Sequence, residues 1–146
     1  MSTETFTNSQ TIADQLHSAA IHLLRKLRKE DEGSGLNAPR LSALSVIVFG
    51  GPITLGDLAA AEQVRPPTMT RIVNALKEQG LVLKKQNTND GRSTLLSATP
   101  AGKKLLLKGR ARRVRTLAKQ IASLSPAQRS VLKEAIKTLQ QVVRAI

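Results

Sequence analysis

Pro67, Thr70, Arg71 and Asn74 recur at i, i+3, i+4 and i+7, the spacing that places four side chains on one face of a helix. Arg65 and Thr68 lie at its start, and Lys77 completes the set one turn on. A hydroxyl both donates and accepts, a side-chain amide does so at a fixed separation, and a guanidinium donates in a planar fork. Hydroxyls, an amide and an arginine near the N-terminal end of a short helix suit the base edges and phosphates of a major groove. The bland alternative is a solvated face, with Thr68 capping or packing and Arg65 pairing locally with an acid. Further on, the turn NTNDG brings Arg92 to a hairpin tip, where the negative potential of an adjacent minor groove would attract it.

Those side chains need elements to hold them. Met69, Ile72, Val73 and Leu76 form the opposite, apolar stripe of the same helix, which must face a core. Pro66 and Pro67 are tolerated only in a first turn, and Gly80 stands where a left-handed residue ends a helix. Ahead of it, Thr54 can cap a short helix with Asp57 at N3 and Leu55, Leu58 and Ala59 on the buried side. The link from Glu62 to Arg65 is short, so the two helices read as a helix-turn-helix. Leu81 to Lys85 and Ser93 to Ala98 then pair as strands around the Asp90-Gly91 turn, which makes a wing.

The rest of the chain reads as support for this unit. Met1 to Ser9 is polar and expected to be loose. From Thr11 to Lys29, Ile12, Leu16, Ala19 or Ala20, Leu23 and Leu27 form a heptad-like stripe, ended by a loop at EDEGSG. Pro39 opens a helix through Leu41, Leu44, Val48 and Phe49, closed by Gly50-Gly51-Pro52, which is apolar enough to form the centre. Thr99-Pro100 starts a long helix running to about Ser123, although Gly102 and Gly109 each cost about 1 kcal/mol against alanine. Ser125 to Gln128 is a capping box for a last helix, where Leu132, Ala135 or Ile136, Leu139, Val142 or Val143 and Ile146 repeat the heptad-like stripe. Neither terminal stripe is needed to complete a winged helix. Pairing them between two copies implies a homodimer that offers two helices to half-sites about one helical turn apart, against the alternative that both pack within one chain. The expected organisation is mostly α with a small β-hairpin wing: one domain over 1–146, dimerisation helices at 8–30 and 100–146, and a winged helix-turn-helix lobe at 36–98.

Charge points the same way. The chain has 146 residues, enough for one domain with a real core, and 23 Lys and Arg against 10 Asp and Glu give a formal charge of +13. A polyanion is the natural partner, because phosphate neutralisation releases counterions. Between Gly91 and Lys133 there are eleven basic residues and no acid, so the helix after the wing either adds phosphate contacts or is a solvated face. No lipidation motif or long apolar span argues for a membrane, and with no signal peptide the expected compartment is the cytoplasm. There is no cysteine, which excludes disulfides and thiolate metal sites. Phe6 and Phe49 are the only aromatics, so base stacking on single strands or RNA is disfavoured and duplex DNA is preferred. His17 and His22 lie five apart and off a common helix face, so no metal or other cofactor is expected. No phosphate loop, nucleophile with a histidine partner or carboxylate pair suggests an enzyme. Two binding readings remain: a sequence-specific regulator, and an architectural protein that coats duplex with little base readout.

The segment LAAAEQVRPPTMTRIVNALKEQGLV, the wing NDGRS and the following LSATPAGKKLL resemble the MarR family of transcription regulators, and the likeness covers nearly the whole chain. It implies a dimeric winged helix-turn-helix repressor or activator, with a repressor the expected sign, on palindromic double-stranded DNA. It also implies tuning by a small anionic or phenolic effector, although the tyrosine, tryptophan or cysteine that some relatives use for sensing is absent here. By motif match Thr68, Thr70, Arg71 and Asn74 would be recognition-helix contacts, and Asp90 would brace the wing so that Arg92 reaches the minor groove.

Overall fold

A computed structural model of the chain describes residues 3–86, 91 and 93–146. The chain divides into two compact units, 1–110 and 111–146.

In the first unit, helix α1 spans Thr3–Leu27, so the stretch up to Ser9 is helical from Thr3 on and not loose. The reason is local. Thr7, Ser9 and Thr11 donate their hydroxyls to the carbonyls of Thr3, Thr5 and Thr7 at 2.9, 2.9 and 3.2 Å, so groups that usually compete with a helix are absorbed by it. Leu27 is buried, whereas Ile12, Leu16 and Leu23 of the same stripe are exposed. A 3-10 turn over Arg28–Ser34 follows where a plain loop was expected, and it ends at Gly35 in the left-handed region, φ 75.

Helix α2, Ala38–Gly50, is capped by Asn37, whose Oδ1 accepts from the Arg40 N–H at 3.0 Å. Ala43, Leu44 and Ile47 are buried, but Phe49 is 65% exposed, which corrects its expected place at the centre. At 100° per residue, Phe49 lies about 160° around the helix from Ile47, and a helix on a small lobe buries only one stripe.

A short strand β1, Ile53–Thr54, was not anticipated. It leads into α3, Leu55–Ala61, where Thr54 Oγ1 accepts from the Asp57 N–H at 3.1 Å, as the cap pattern requires. Helix α4, Pro66–Glu78, follows. The wing strands β2, Val82–Gln86, and β3, Thr94–Ala98, pair antiparallel with Lys84 opposite Leu96, and β1 adds to the other edge of β3 with Ile53 opposite Leu96. The sheet order is therefore β1-β3-β2. Two residues are too few to show an alternating pattern, which is why β1 escapes a reading by periodicity.

The core gathers Leu44 and Ile47 of α2, Leu58 of α3, Met69, Val73 and Leu76 of α4, Val82 and Leu96 of the sheet, and Leu106 of α5. Helix α5, Pro100–Ala122, runs from the first unit into the second. Helix α6, Pro126–Ala145, carries the expected capping box, with Ser125 Oγ accepting from the Gln128 N–H at 3.1 Å and Gln128 Oε1 accepting from the Ser125 N–H at 3.0 Å. No residue of α6 is buried.

Candidate nucleic-acid interface

Helix α4 is anchored along one side and at both ends. Met69, Val73 and Leu76 have no exposure at all, and each such burial is worth about 1.5–3 kcal/mol. At the start Pro66 takes a first-turn position, where a missing N–H costs nothing, and Arg65 as the N-cap residue accepts the Met69 N–H on its carbonyl at 3.1 Å. At the far end Gly80 adopts φ 71; its N–H donates to Lys77 O at 2.9 Å and the Leu81 N–H donates to Leu76 O at 3.0 Å. Those two bonds are the Schellman arrangement, which satisfies the last carbonyls and turns the chain into β2. Helix α3 ends in the same way, with the Gln63 N–H on Ala60 O and the Val64 N–H on Ala59 O, both near 3.0 Å. There the left-handed position, φ 55, is filled by Gln63 and not by glycine.

The N-terminus of α5 locks onto this corner. Thr99 donates its hydroxyl to Gly80 O at 2.6 Å and its N–H to Leu81 O at 3.1 Å, while its Oγ1 accepts the Gly102 N–H at 3.1 Å. The approach is so close that a Cβ on Gly102 would lie 2.3 Å from Leu81 O. Gly102, which propensity alone marks as a weakness in the helix, is thus the residue that lets α5 reach the end of α4.

With its apolar side fixed, α4 turns Arg65, Pro67, Thr68, Arg71, Asn74 and Lys77 toward solvent, all exposed. Thr68 caps nothing, because the N-cap position is Arg65 and no side chain caps the helix. Thr70 departs from the simple picture. It is half-buried, and its hydroxyl donates to Pro66 O at 2.9 Å, leaving lone pairs and a methyl group as what it can present. Asn74 also has a partner: its Oδ1 accepts from Lys84 Nζ on β2. Lys84 was not singled out by sequence reasoning. The available signal was its place in the strand, in register with buried Val82 and opposite buried Leu96. Asp90 and Arg92 lie outside the described residues. At the described end of the wing, the Gln86 side-chain amide donates to Gly91 O.

Positive charge continues on α5, where Lys103, Lys104, Lys108 and Arg110 are exposed and Gly102, Leu106 and Gly109 are buried. Among the described residues no three histidine or acidic side chains come together as metal ligands, and no helix is long and apolar enough to cross a membrane. His17 and His22 are both exposed on α1.

Comparison with known proteins agrees with this geometry. The MarR family model matches residues 36–94. The HTH-type transcriptional regulator Mb0904 of Mycobacterium bovis is 36% identical over 124 residues, covering 85% of this chain and 87% of that protein. The crystal structure of the transcriptional regulator Tm0710 from Thermotoga maritima has a TM-score of 0.83 at 24% identity, covering 93% of this chain and 96% of that one. A mutant of MepR from S. aureus, bound to an oligodeoxyribonucleotide, has a TM-score of 0.70 at 16% identity over 90% of this chain and 97% of that one. Relatives and family alike are transcriptional regulators rather than enzymes. Both the winged helix-turn-helix fold and the sequence relatives lead to one conclusion: the chain belongs to the MarR family of DNA-binding transcription regulators.

Proposed function

We propose that the protein is a homodimeric repressor, working in the cytoplasm, that reads a palindromic operator in double-stranded DNA. Helix α4 enters the major groove with Arg65, Thr68, Thr70, Arg71, Asn74 and Lys77 as its contacts. The wing follows the backbone, with Asp90 bracing it and Arg92 in the neighbouring minor groove. The observation that carries this reading is the division of α4: three residues with no exposure on one side, and a strip of exposed hydrogen-bonding and cationic side chains on the other. A folded lobe that only needed solubility would not need a proline-started helix with an amide and hydroxyls there; base edges do. MepR, which shares the fold, has been seen with an oligodeoxyribonucleotide.

Dimerisation is supported by the apolar residues that α1 and α6 leave exposed, among them Ile12, Leu16, Leu23, Leu139 and Val142. A second copy would cover them and set the two α4 helices on successive half-sites. Tuning by a small anionic or phenolic effector is carried over from the family, and none of the described residues is assigned to it.

The test is selection of bound duplexes from a random pool. The expected result is an inverted repeat with half-sites about 10 bp apart, bound roughly 10³-fold or more tightly than random DNA. The Arg92→Ala variant is expected to lose more than about tenfold in affinity for that site. Enrichment without a motif would replace this reading with an architectural, charge-driven binder, and an unrepeated motif would remove the dimer.

A further inference from the structure

The contact between Lys84 and Asn74 joins the wing to the polar strip of α4, across ten residues of chain. Its polarity is unambiguous, because an ammonium can only donate and must therefore meet the carbonyl end of the amide. Lys84 reaches that position from an unusual place. In β2 it shares the inward face with Val82, which is buried, while Leu83 between them is 52% exposed. Side chains alternate along a strand, so the stem of Lys84 runs against the core side of the sheet and its charged head emerges beside α4.

We propose that Lys84 is a positioning residue that fixes Asn74 with its amide NH2 outward, so that Asn74 recognises a hydrogen-bond acceptor on a base and not the donor–acceptor pair of adenine. This rests on the reading of α4 as the element that contacts bases. An asparagine free to rotate pairs bidentately with adenine, accepting from N6 and donating to N7. Here one lone pair of Oδ1 is occupied, and the ammonium beside it opposes an incoming amino group of adenine or cytosine. The NH2 remains available. Guanine offers it O6 and N7, thymine offers O4, and cytosine offers only an amino donor in the major groove. Asn74 therefore selects guanine first and thymine second at the base it faces, and Lys84 contributes to sequence choice without touching a base.

The experiment compares bound-DNA selections for the full-length protein and its Asn74→Ala, Lys84→Met and Lys84→Arg variants, with salt slopes on the wild-type site. Asn74→Ala identifies the base position that this side chain reads. At that position the wild type is expected to prefer guanine or thymine. Lys84→Met, which keeps the stem and removes the donor, is expected to shift the guanine-to-adenine ratio toward adenine by about tenfold. Lys84→Arg, which restores a cationic donor, should return the ratio toward wild type. A wild-type preference for adenine there overturns the proposal. So does a Lys84→Met variant that binds all sequences more weakly, with a salt slope smaller by about 1 and an unchanged base preference, since that marks a phosphate contact. If Asn74→Ala alters no base preference while the selected motif persists, Asn74 reads no base and the role of Lys84 falls; if no motif is selected at all, it is the reading of α4 that fails.

Discussion

Helices α4 and α6 are built on the same plan, an apolar stripe set against a polar face, and they end up in opposite circumstances. In α4 the stripe is sealed by α2, α3, β2 and β3, and Met69, Val73 and Leu76 lose all contact with water. In α6 no residue is buried, with Ile136, Leu139, Val142 and Val143 from 38 to 64% exposed. The polar face of α4 is therefore what the lobe presents outward, whereas in α6 the apolar face is the one still to be covered. An amphipathic pattern specifies that a helix needs a partner, and it leaves open whether that partner is in the same chain.

The largest effect expected from this contrast is on stability. Leu76→Ala should cost about 2–5 kcal/mol in denaturant unfolding, at every protein concentration, because it opens a cavity in a closed core. Leu139→Ala should change the intrinsic stability of the chain by less than about 0.5 kcal/mol and instead weaken self-association, seen as a lower melting temperature only where dimers dissociate. An equal, concentration-independent loss at both positions would mean that the α6 stripe is covered within its own chain.

A smaller effect is expected where α5 meets the end of α4. Gly102→Ala should destabilise by about 1–3 kcal/mol, because the added Cβ falls 2.3 Å from the Leu81 carbonyl oxygen and backbone must move. Propensity alone predicts the opposite sign, a gain of about 1 kcal/mol for alanine in a helix, so thermal unfolding of this one variant discriminates between the two effects. The smallest change sharpens the corner between α3 and α4. Gln63→Gly should stabilise by about 0.5–1 kcal/mol, since Gln63 holds a left-handed φ of 55 that glycine adopts without strain. A loss of stability there would mean that the Gln63 side chain contributes more than its backbone costs.

Much of this architecture is legible in the residues alone, and the reasons are local. Thr54, Ser125 and Gly80 terminate their helices as their types require, because a cap is decided within three or four residues of chain. The buried face of α4 follows from a spacing of three and four. The same reasoning misplaces Phe49 and overlooks the helical start at Thr3. In the first case a strongly apolar helix shows no clear stripe, so its periodicity does not say which side is inward; in the second, hydroxyl groups that signal a loose end are bonded back to the helix they sit on.

What the amino-acid order determined by itself is the succession of the α-helices and the two wing strands, the two faces of α4 and the existence of unsatisfied apolar stripes at both ends of the chain. These depend on period and on neighbours a turn away. Only the tertiary structure decided that β1 completes the sheet, that Gly102 is needed for space, and that Lys84 holds the Asn74 carbonyl. The physical reason is range. Lys84 meets Asn74 across ten residues and Thr99 meets Gly80 across 19, and such distances are closed by packing of the whole lobe and not by any local preference.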